Sequence, residues 1–259
     1  MKPAPFDYQA PDTLREAIDL LASNPEAFVI AGGQSLMPVL AFRLATPSLL
    51  VDLRRLPGLG NIAISDDGFR LGALVRWRDI EDDQRLMAAH PLLHAAVTHV
   101  AHYQIRNRGT VGGSLAHADP AAELPGVAVT CEGEITLFGA AGSRTVRAGD
   151  FFTGPLSTLR RPDEIVTELR LPKWPSGRRW AFRKYARRDG DFALACFRVL
   201  KKMHAARTGG YITFSNLGEV TAAIALPLER AGSHPVTFAL VEIVAWRYIN
   251  FTRCRPAIR

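Results

Sequence analysis

The pentapeptide AGGQS fills residues 31–35 and follows directly on the apolar run AFVI at residues 27–30. Two adjacent residues without side chains, placed where a buried strand ends, leave room for another group to approach the backbone closely. A diphosphate needs such bare backbone, because several N–H donors have to converge on its oxygens. The segment therefore predicts a short strand that ends in a binding loop.

A second stretch of the same kind, RNRGTVGGSLAHADP, occupies residues 106–120. One glycine pair alone is most often an ordinary tight turn. Two pairs in one chain, each followed closely by a serine, favour a paired phosphate site in which hydroxyl groups add donors without bulk. Neither stretch has the G-x-G-x-x-G or Walker A spacing, so a Rossmann or P-loop origin is not predicted. We expect the two loops to face each other across a dinucleotide.

The residues around these loops predict alternating helices and strands. Apolar positions recur at helical spacing after Asp12 and Thr13, either of which can cap the helix. Residues 49–53 read as a strand, and residues 62–75 as a hairpin that turns at 66–68. Residues 79–104 predict two helical stretches, the second of which begins at Pro91.

Composition limits the classes of protein that the chain can belong to. The 259 residues are 47% hydrophobic and can bury one large core or two modest ones. No apolar run is long enough to span a membrane and no leader is recognisable, so we expect a cytoplasmic protein. Cys131, Cys196 and Cys254 are scattered, which predicts no metal site on this chain. The net charge of +7 is spread over short basic groups, which indicates anionic ligands or acidic partners rather than nucleic acid.

Over roughly its first three quarters, the chain resembles the FAD-binding medium subunits of molybdenum hydroxylases. That is the family of aerobic carbon monoxide dehydrogenase and xanthine dehydrogenase. The resemblance is carried by both glycine loops and by several segments that surround them. The segments are residues 31–36, 72–74, 106–114, 118–125, 151–154, 162–166 and 184–193.

The resemblance implies an α+β fold. Residues 1–175 would form an FAD-binding domain of the vanillyl-alcohol-oxidase (PCMH) type, with residues 1–57 and 58–175 as its two subdomains. Residues 176–259 would form a small α+β C-terminal domain. The sequence departs from the family pattern beyond about residue 223, and Gln34 stands where the family often has His.

The resemblance also implies a set of FAD-binding residues, although some have a simpler structural explanation. Asp119 would meet the ribose or adenine, or would cap a helix that begins at Pro120. Lys184 would stabilise the reduced flavin, or would be a solvated surface charge. Leu36, Ala73 and Leu124 would be apolar neighbours of the cofactor or ordinary core residues. The full set is Ala31, Gly32, Gly33, Gln34, Ser35, Leu36, Ala73, Thr110, Val111, Gly112, Gly113, Ser114, Asp119, Leu124 and Lys184.

The implied function is electron transfer, with no catalytic acid or base on this chain. The FAD would take electrons from the iron–sulfur clusters of a partner and pass them to an external acceptor. The implied partners are a large molybdopterin subunit and a small subunit with [2Fe-2S] clusters, assembled as a dimer of heterotrimers, and the chain would be inactive alone. Two alternatives stay open: a free-standing FAD-dependent oxidase or dehydrogenase of the same fold, and a non-catalytic flavin-binding assembly protein.

Overall fold

The computed structural model of the chain describes residues 2–174, 179–188, 190–193, 195–201, 209–215 and 224–227. Its first part is a small parallel sheet with a helix packed on one face. The elements are β1 (Asp7–Gln9), α1 (Leu14–Ser23), β2 (Ala27–Ile30), α2 (Leu36–Ala41), β3 (Leu49–Asp52) and a 3₁₀ turn at Leu53–Arg55. The strand order is β1-β3-β2, so β2 is an edge strand.

Helix α1 and strands β2 and β3 form as the sequence predicts, whereas β1 was not predicted. Thr13 caps α1 through its side chain, and Glu16 completes the capping box by accepting from the Thr13 N–H at 3.3 Å. The apolar stripe of α1 packs on strand β3. Because β2 ends at Ile30, the loop at residues 31–35 leaves the sheet at the carboxyl end of an edge strand.

The second part is an antiparallel sheet covered by short helices. Its strands are β4 (Ile62–Ser65), β5 (Gly68–Gly72), β6 (Glu134–Gly139), β7 (Gly142–Arg147) and β10 (Ile165–Pro172), in the order β4-β5-β10-β6-β7. The predicted hairpin at residues 62–75 is confirmed by the pairing of β4 with β5. A two-stranded ribbon, β8 (Phe152–Gly154) with β9 (Ser157–Thr158), follows the single turn of α9 (Ala148–Phe151).

The helices between β5 and β6 are more broken than the sequence predicts. They are α3 (Trp77–Asp82), α4 (Gln84–Ala89), α5 (Pro91–Thr98), α6 (Tyr103–Arg106), α7 (Val111–His117) and α8 (Glu123–Thr130). The second predicted helix does begin at Pro91. The first is divided because the Asp83 side chain accepts from the Arg85 N–H at 2.9 Å and caps a new helix.

A third, antiparallel sheet follows in the order β11 (Arg179–Tyr185), β12 (Ala195–Lys201), β13 (Gly209–Ser215) and β14 (Ile224–Pro227). Apart from β14, the segment beyond about residue 223, for which the sequence predicts a departure from the family pattern, lies outside the described residues. No helix among the described residues is both long and apolar enough to cross a bilayer.

Buried apolar side chains form two clusters. The smaller joins α1 to β3 and to the residues that follow β3, as far as Leu59. The larger fills the space between the antiparallel sheet and the helices, and Phe182 of β11 also contributes to it. Ile165, the first residue of β10, belongs to the smaller cluster, so the central antiparallel sheet contacts the parallel sheet at this point.

Candidate cofactor-binding cleft

A cleft of about 1120 Å³ runs along the end of β2, between the parallel sheet, helix α7 and strand β11. Most of the residues that the sequence predicts as FAD contacts line it. They are Ala31, Gly32, Gly33, Gln34, Ser35, Leu36, Ala73, Thr110, Gly112, Gly113, Ser114, Asp119 and Lys184. The fold therefore brings residues that are as far as 153 positions apart in the sequence, Ala31 and Lys184, to the lining of one cleft.

The loop at residues 31–35 presents bare backbone to this cleft. Gly33 has a φ of +70°, a left-handed conformation that favours glycine. Within the part of the chain that the structure describes, no acceptor bonds the N–H groups of residues 32–35. The Gln34 side chain donates to the Gly32 carbonyl at 3.0 Å and steadies the loop. Four successive free donors at the end of an edge strand are suited to a phosphate.

The two glycine stretches lie against each other. A Cβ placed on Gly32 would overlap the carbonyl oxygen of Arg108 and would come within 3.1 Å of Gly109 Cα. Only a residue without a side chain allows the first loop to approach the backbone of the second stretch at Arg108 and Gly109. The close approach explains why Gly32 has to be glycine although its φ is not positive.

The second stretch differs from the prediction that both stretches supply main-chain donors. Thr110 caps α7, and the amides of residues 111–114 all have protein acceptors. Val111 N bonds Val75 O at 2.9 Å and Gly112 N bonds Ala73 O at 2.8 Å, while Gly113 N and Ser114 N bond Thr110 Oγ1 and O at 3.2 and 3.0 Å. The expectation that both stretches donate main-chain amides to a diphosphate is therefore wrong for the second stretch. Thr110, Gly112, Gly113 and Ser114 of this stretch line the cleft, and Ser114 carries a hydroxyl group that can act as a donor.

Two predicted contacts lie outside the cleft. Val111 is fully buried, and Leu124 is 2% exposed. Both belong to the larger hydrophobic cluster, because the first residue of α7 and the second residue of α8 face the sheet core. For Leu124 the structure favours the core explanation, whereas Ala73, although buried, reaches the cleft beneath Gly112.

Lys184 is neither solvated nor free to follow the charge of a ligand. Its Nζ lies 2.8 Å from Glu123 Oε1 and donates to the His99 carbonyl at 2.9 Å. The two charged side chains are only 6% and 8% exposed. The prediction of a surface charge is therefore wrong, and the positive charge of Lys184 is already balanced by Glu123. The sequence signal for Glu123 was its place in the first turn of α8, where an acid is favourable.

Asp119 forms a local turn at the edge of the cleft. Its Oδ1 accepts from the Ala121 N–H at 2.7 Å. Helix α8 begins at Glu123, so the prediction that Asp119 caps a helix starting at Pro120 is wrong. The Asx turn comes before the helix and leaves Oδ2 without a partner among the described residues.

Sequence reasoning missed several residues that line the cleft. Phe192 presents an aromatic ring that is 72% exposed. Gly190, with a φ of +84°, packs so closely on His102 that a Cβ would overlap the imidazole. Both residues fall in the segment 184–193 that carries the family resemblance, so the segment was recognised without its individual contacts. Arg160 and Glu164 also line the cleft.

Glu164 is a buried carboxylate whose two oxygens accept hydrogen bonds from Arg144 and from a backbone N–H group. Arg144 donates to both of its oxygens, at 2.6 and 2.7 Å, and the Arg161 N–H donates to Oε2 at 2.8 Å. The Arg144 guanidinium is the main reason that the pKa of Glu164 lies below its ordinary value, and burial opposes this shift. The ionised carboxylate is therefore a stabilising group.

The lowered pKa of Glu164 predicts a specific acid sensitivity. A carboxyl group whose pKa is lower in the folded state stabilises the fold above its unfolded pKa and loses that contribution as pH falls through the folded pKa. We expect the Glu164→Gln variant to melt at a lower temperature at neutral pH, and to lose less stability than the wild type between about pH 5 and pH 3. Melting curves across this range test the difference. The same substitution at the exposed Glu26 is the control, and parallel profiles for wild type and Glu164→Gln would contradict the assignment.

An α+β chain with a cleft of this size, lined by a loop whose amides at residues 32–35 have no acceptor among the described residues, is suited to bind a nucleotide. Comparison with known families makes the class specific. Residues 4–174 match the family model described as the FAD binding domain in molybdopterin dehydrogenase. The chain belongs to this family, which confirms the predicted family, its cofactor FAD and the oxidoreductase class.

Curated relatives and solved structures agree with this membership. The nicotine 6-hydroxylase medium subunit of Paenarthrobacter nicotinovorans is 42% identical over 195 residues, which are 75% of this chain and 68% of the relative. The carbon monoxide dehydrogenase medium chain of Hydrogenophaga pseudoflava is 37% identical over 204 residues, 78% of this chain and 71% of the relative. The crystal structure of quinoline 2-oxidoreductase from Pseudomonas putida 86 matches with a TM-score of 0.80 at 40% identity, covering 85% of this chain and 76% of that one.

Proposed function

We propose that this chain is the FAD-carrying electron-transfer subunit of a molybdenum hydroxylase complex. The observation that carries the proposal is the loop at residues 31–35, whose four free amides open into the large cleft of a chain that belongs to this family. The residues present fit a dinucleotide. Gly32 leaves no room for a Cβ, and the loop supplies donors without bulk.

The chain's own residues bind and orient the cofactor. The amides of residues 32–35 hold one side of the diphosphate, and the Ser114 hydroxyl faces it from α7. The Phe192 ring offers an aromatic surface at the rim of the cleft. When bound, the flavin accepts electrons and passes them to an acceptor. No acid or base on this chain is required for that task.

We infer a vanillyl-alcohol-oxidase (PCMH) type domain with subdomains at residues 1–57 and 58–175, followed by a C-terminal domain at 176–259. The two hydrophobic clusters support the first division, because the smaller is built almost entirely from residues before 60. The separate antiparallel sheet that begins with β11 supports the second.

The proposed partners are a large molybdopterin subunit and a small subunit that carries [2Fe-2S] clusters, assembled as a dimer of heterotrimers in the cytoplasm. The names of the relatives support a multi-subunit assembly, since they are called medium subunit or medium chain. The iron–sulfur clusters would deliver electrons to the flavin. The substrate is oxidised on the large subunit in this proposal.

The test is to purify the chain with and without the subunits encoded beside its gene. The chain should show the paired absorption bands of oxidised flavin and release FAD on denaturation, and its flavin should be reduced when the assembled complex receives substrate. A colourless chain that binds no added FAD would refute the proposal. Turnover of substrate by the isolated chain would favour a free-standing oxidase or dehydrogenase, and FAD that partners never reduce would favour an assembly protein.

Asp119 gives a prediction about the adenosine half of the cofactor. If Oδ2 accepts from a ribose hydroxyl, Asp119→Ala should weaken FAD binding about tenfold and leave FMN binding nearly unchanged. Asp119→Asn is the matched control, because its amide oxygen can still accept from the Ala121 N–H and keep the turn. Titrations of both flavins separate the outcomes, and equal losses for FAD and FMN would restrict Asp119 to a role in the turn.

A further inference from the structure

Arg160 is a cation that the structure holds in the wall of the cleft. Its Nη1 donates to the carbonyl oxygens of Arg161, Pro162 and Glu164, at 2.9, 3.4 and 2.8 Å. These three bonds fix the guanidinium on the turn that leads into β10. Arg160 lines the cleft, yet it is not among the residues that the sequence predicts as FAD contacts.

Within the part of the chain that the structure describes, the opposite edge of this guanidinium has no partner. Among the described residues, Nε of Arg160 is buried without a hydrogen bond, and no bond is made by Nη2. Elsewhere in this chain the same edge binds a carboxylate. Arg144 uses Nε and Nη2 on Glu164, at 2.6 and 2.7 Å, and Arg85 uses them on Asp83, at 3.0 and 2.7 Å. The edge of Arg160 is therefore a fork without its oxyanion.

No carboxylate among the described residues bonds Nε or Nη2 of Arg160. Both oxygens of Glu164 are engaged by Arg144, and one also accepts from the Arg161 N–H. Burial lowers the pKa of the Arg160 guanidinium, which reflects the energy of removing it from water. A buried donor that lacks a partner in the protein indicates a ligand atom at that place.

We propose that Arg160 binds an oxyanion in the cleft and that its occupant is the diphosphate bridge of the dinucleotide. This inference rests on the proposed function and adds to it a cation that lines the same cleft as the loop at residues 31–35. The loop at residues 31–35 supplies neutral donors for a group with two negative charges. Lys184 is already paired with Glu123. Arg160 is anchored, lines the same cleft and has no described carboxylate on its Nε and Nη2 edge.

The experiment compares Arg160→Gln and Arg160→Lys with the wild-type full chain after the flavin has been stripped. Flavin fluorescence quenching gives the dissociation constants for FAD and for riboflavin, which lacks phosphate. Arg160→Gln should weaken FAD binding about ten- to hundredfold and leave riboflavin unchanged, since a bond to a charged group is lost. Arg160→Lys should recover part of the affinity. Arg161→Gln is the matched control, because it removes an equal charge from an exposed neighbour outside the cleft.

The other possible results either overturn the proposal or limit which ligand Arg160 binds. Unchanged FAD affinity in Arg160→Gln, or equal losses for FAD and riboflavin, would overturn it and leave Arg160 a structural role in its turn. Calorimetry with inorganic pyrophosphate tests the fork apart from the flavin. Arg160→Gln could abolish pyrophosphate binding and leave FAD binding unchanged. That result would show that the fork binds a free anion and would overturn the proposal that the diphosphate of the dinucleotide occupies it. If the wild type binds no flavin, the proposed function fails, and pyrophosphate binding by wild type but not by Arg160→Gln would still support the oxyanion site.

Discussion

Gly32→Ala should lose FAD retention by more than a hundredfold, although the substitution adds a single methyl group. The new Cβ would overlap the Arg108 carbonyl oxygen, which is backbone and has no rotamer with which to move away. The loop must then withdraw, and its free amides leave the position at which they meet the diphosphate. Loss of two charge-assisted bonds would cost roughly 3–6 kcal/mol, which is more than a hundredfold in affinity.

The measurement is the flavin-to-protein ratio after gel filtration, together with a fluorescence titration of the stripped protein. Gly60→Ala is the control, because a Cβ there meets nothing within 4 Å and the φ of Gly60 is not positive. The overall fold of Gly32→Ala should persist, with a melting temperature close to that of Gly60→Ala. Normal FAD content in Gly32→Ala would mean that the loop can separate from Arg108 and still hold its ligand, so the contact between Gly32 and Arg108 would not be required for binding.

The residues of the first loop could be predicted because their chemistry is local. An apolar strand followed by two glycines and a serine describes the end of β2 and the free amides at 32–35. For the second stretch, the local pattern gave the wrong prediction, namely that its main-chain amides are free. Gly113 and Ser114 donate to the nearby Thr110, whereas Val111 and Gly112 donate to carbonyl groups at positions 75 and 73, which come close only after the segment behind β5 packs against α7. No local pattern records such a contact.

Two charged groups show the same limit. Lys184 and Glu123 stand 61 positions apart, and the sequence allowed Lys184 to be read as a surface charge or as a flavin contact. Their pairing requires β11 to lie beside α8. Arg160 was missed for a related reason, because its open edge becomes evident only when Nη1 is seen to be taken by the turn at 161–164. Sequence patterns identify residue types, whereas the partners that neutralise a charge are set by tertiary contacts.

Lys184→Met should destabilise the fold by about 3–5 kcal/mol, because it leaves the Glu123 carboxylate buried without its counter-ion. The double variant Lys184→Met with Glu123→Leu should recover most of that loss, since a buried ion pair replaced by apolar groups is often close to neutral. Urea unfolding of the single and double variants measures both quantities.

An exposed lysine–carboxylate pair in the same chain serves as the control that distinguishes the effect of burial from the effect of losing a charge. Lys173 lies 3.3 Å from Asp66 with 61% of its side chain exposed, and Lys173→Met should cost no more than about 1 kcal/mol. The difference between the two lysine variants then reports the burial of the Glu123–Lys184 pair in the cleft wall. If Lys184→Met costs no more than Lys173→Met, the pair is solvated in solution. In that case the Lys184 ammonium is available to a ligand in the cleft, and Arg160 is not needed as the cation for the diphosphate.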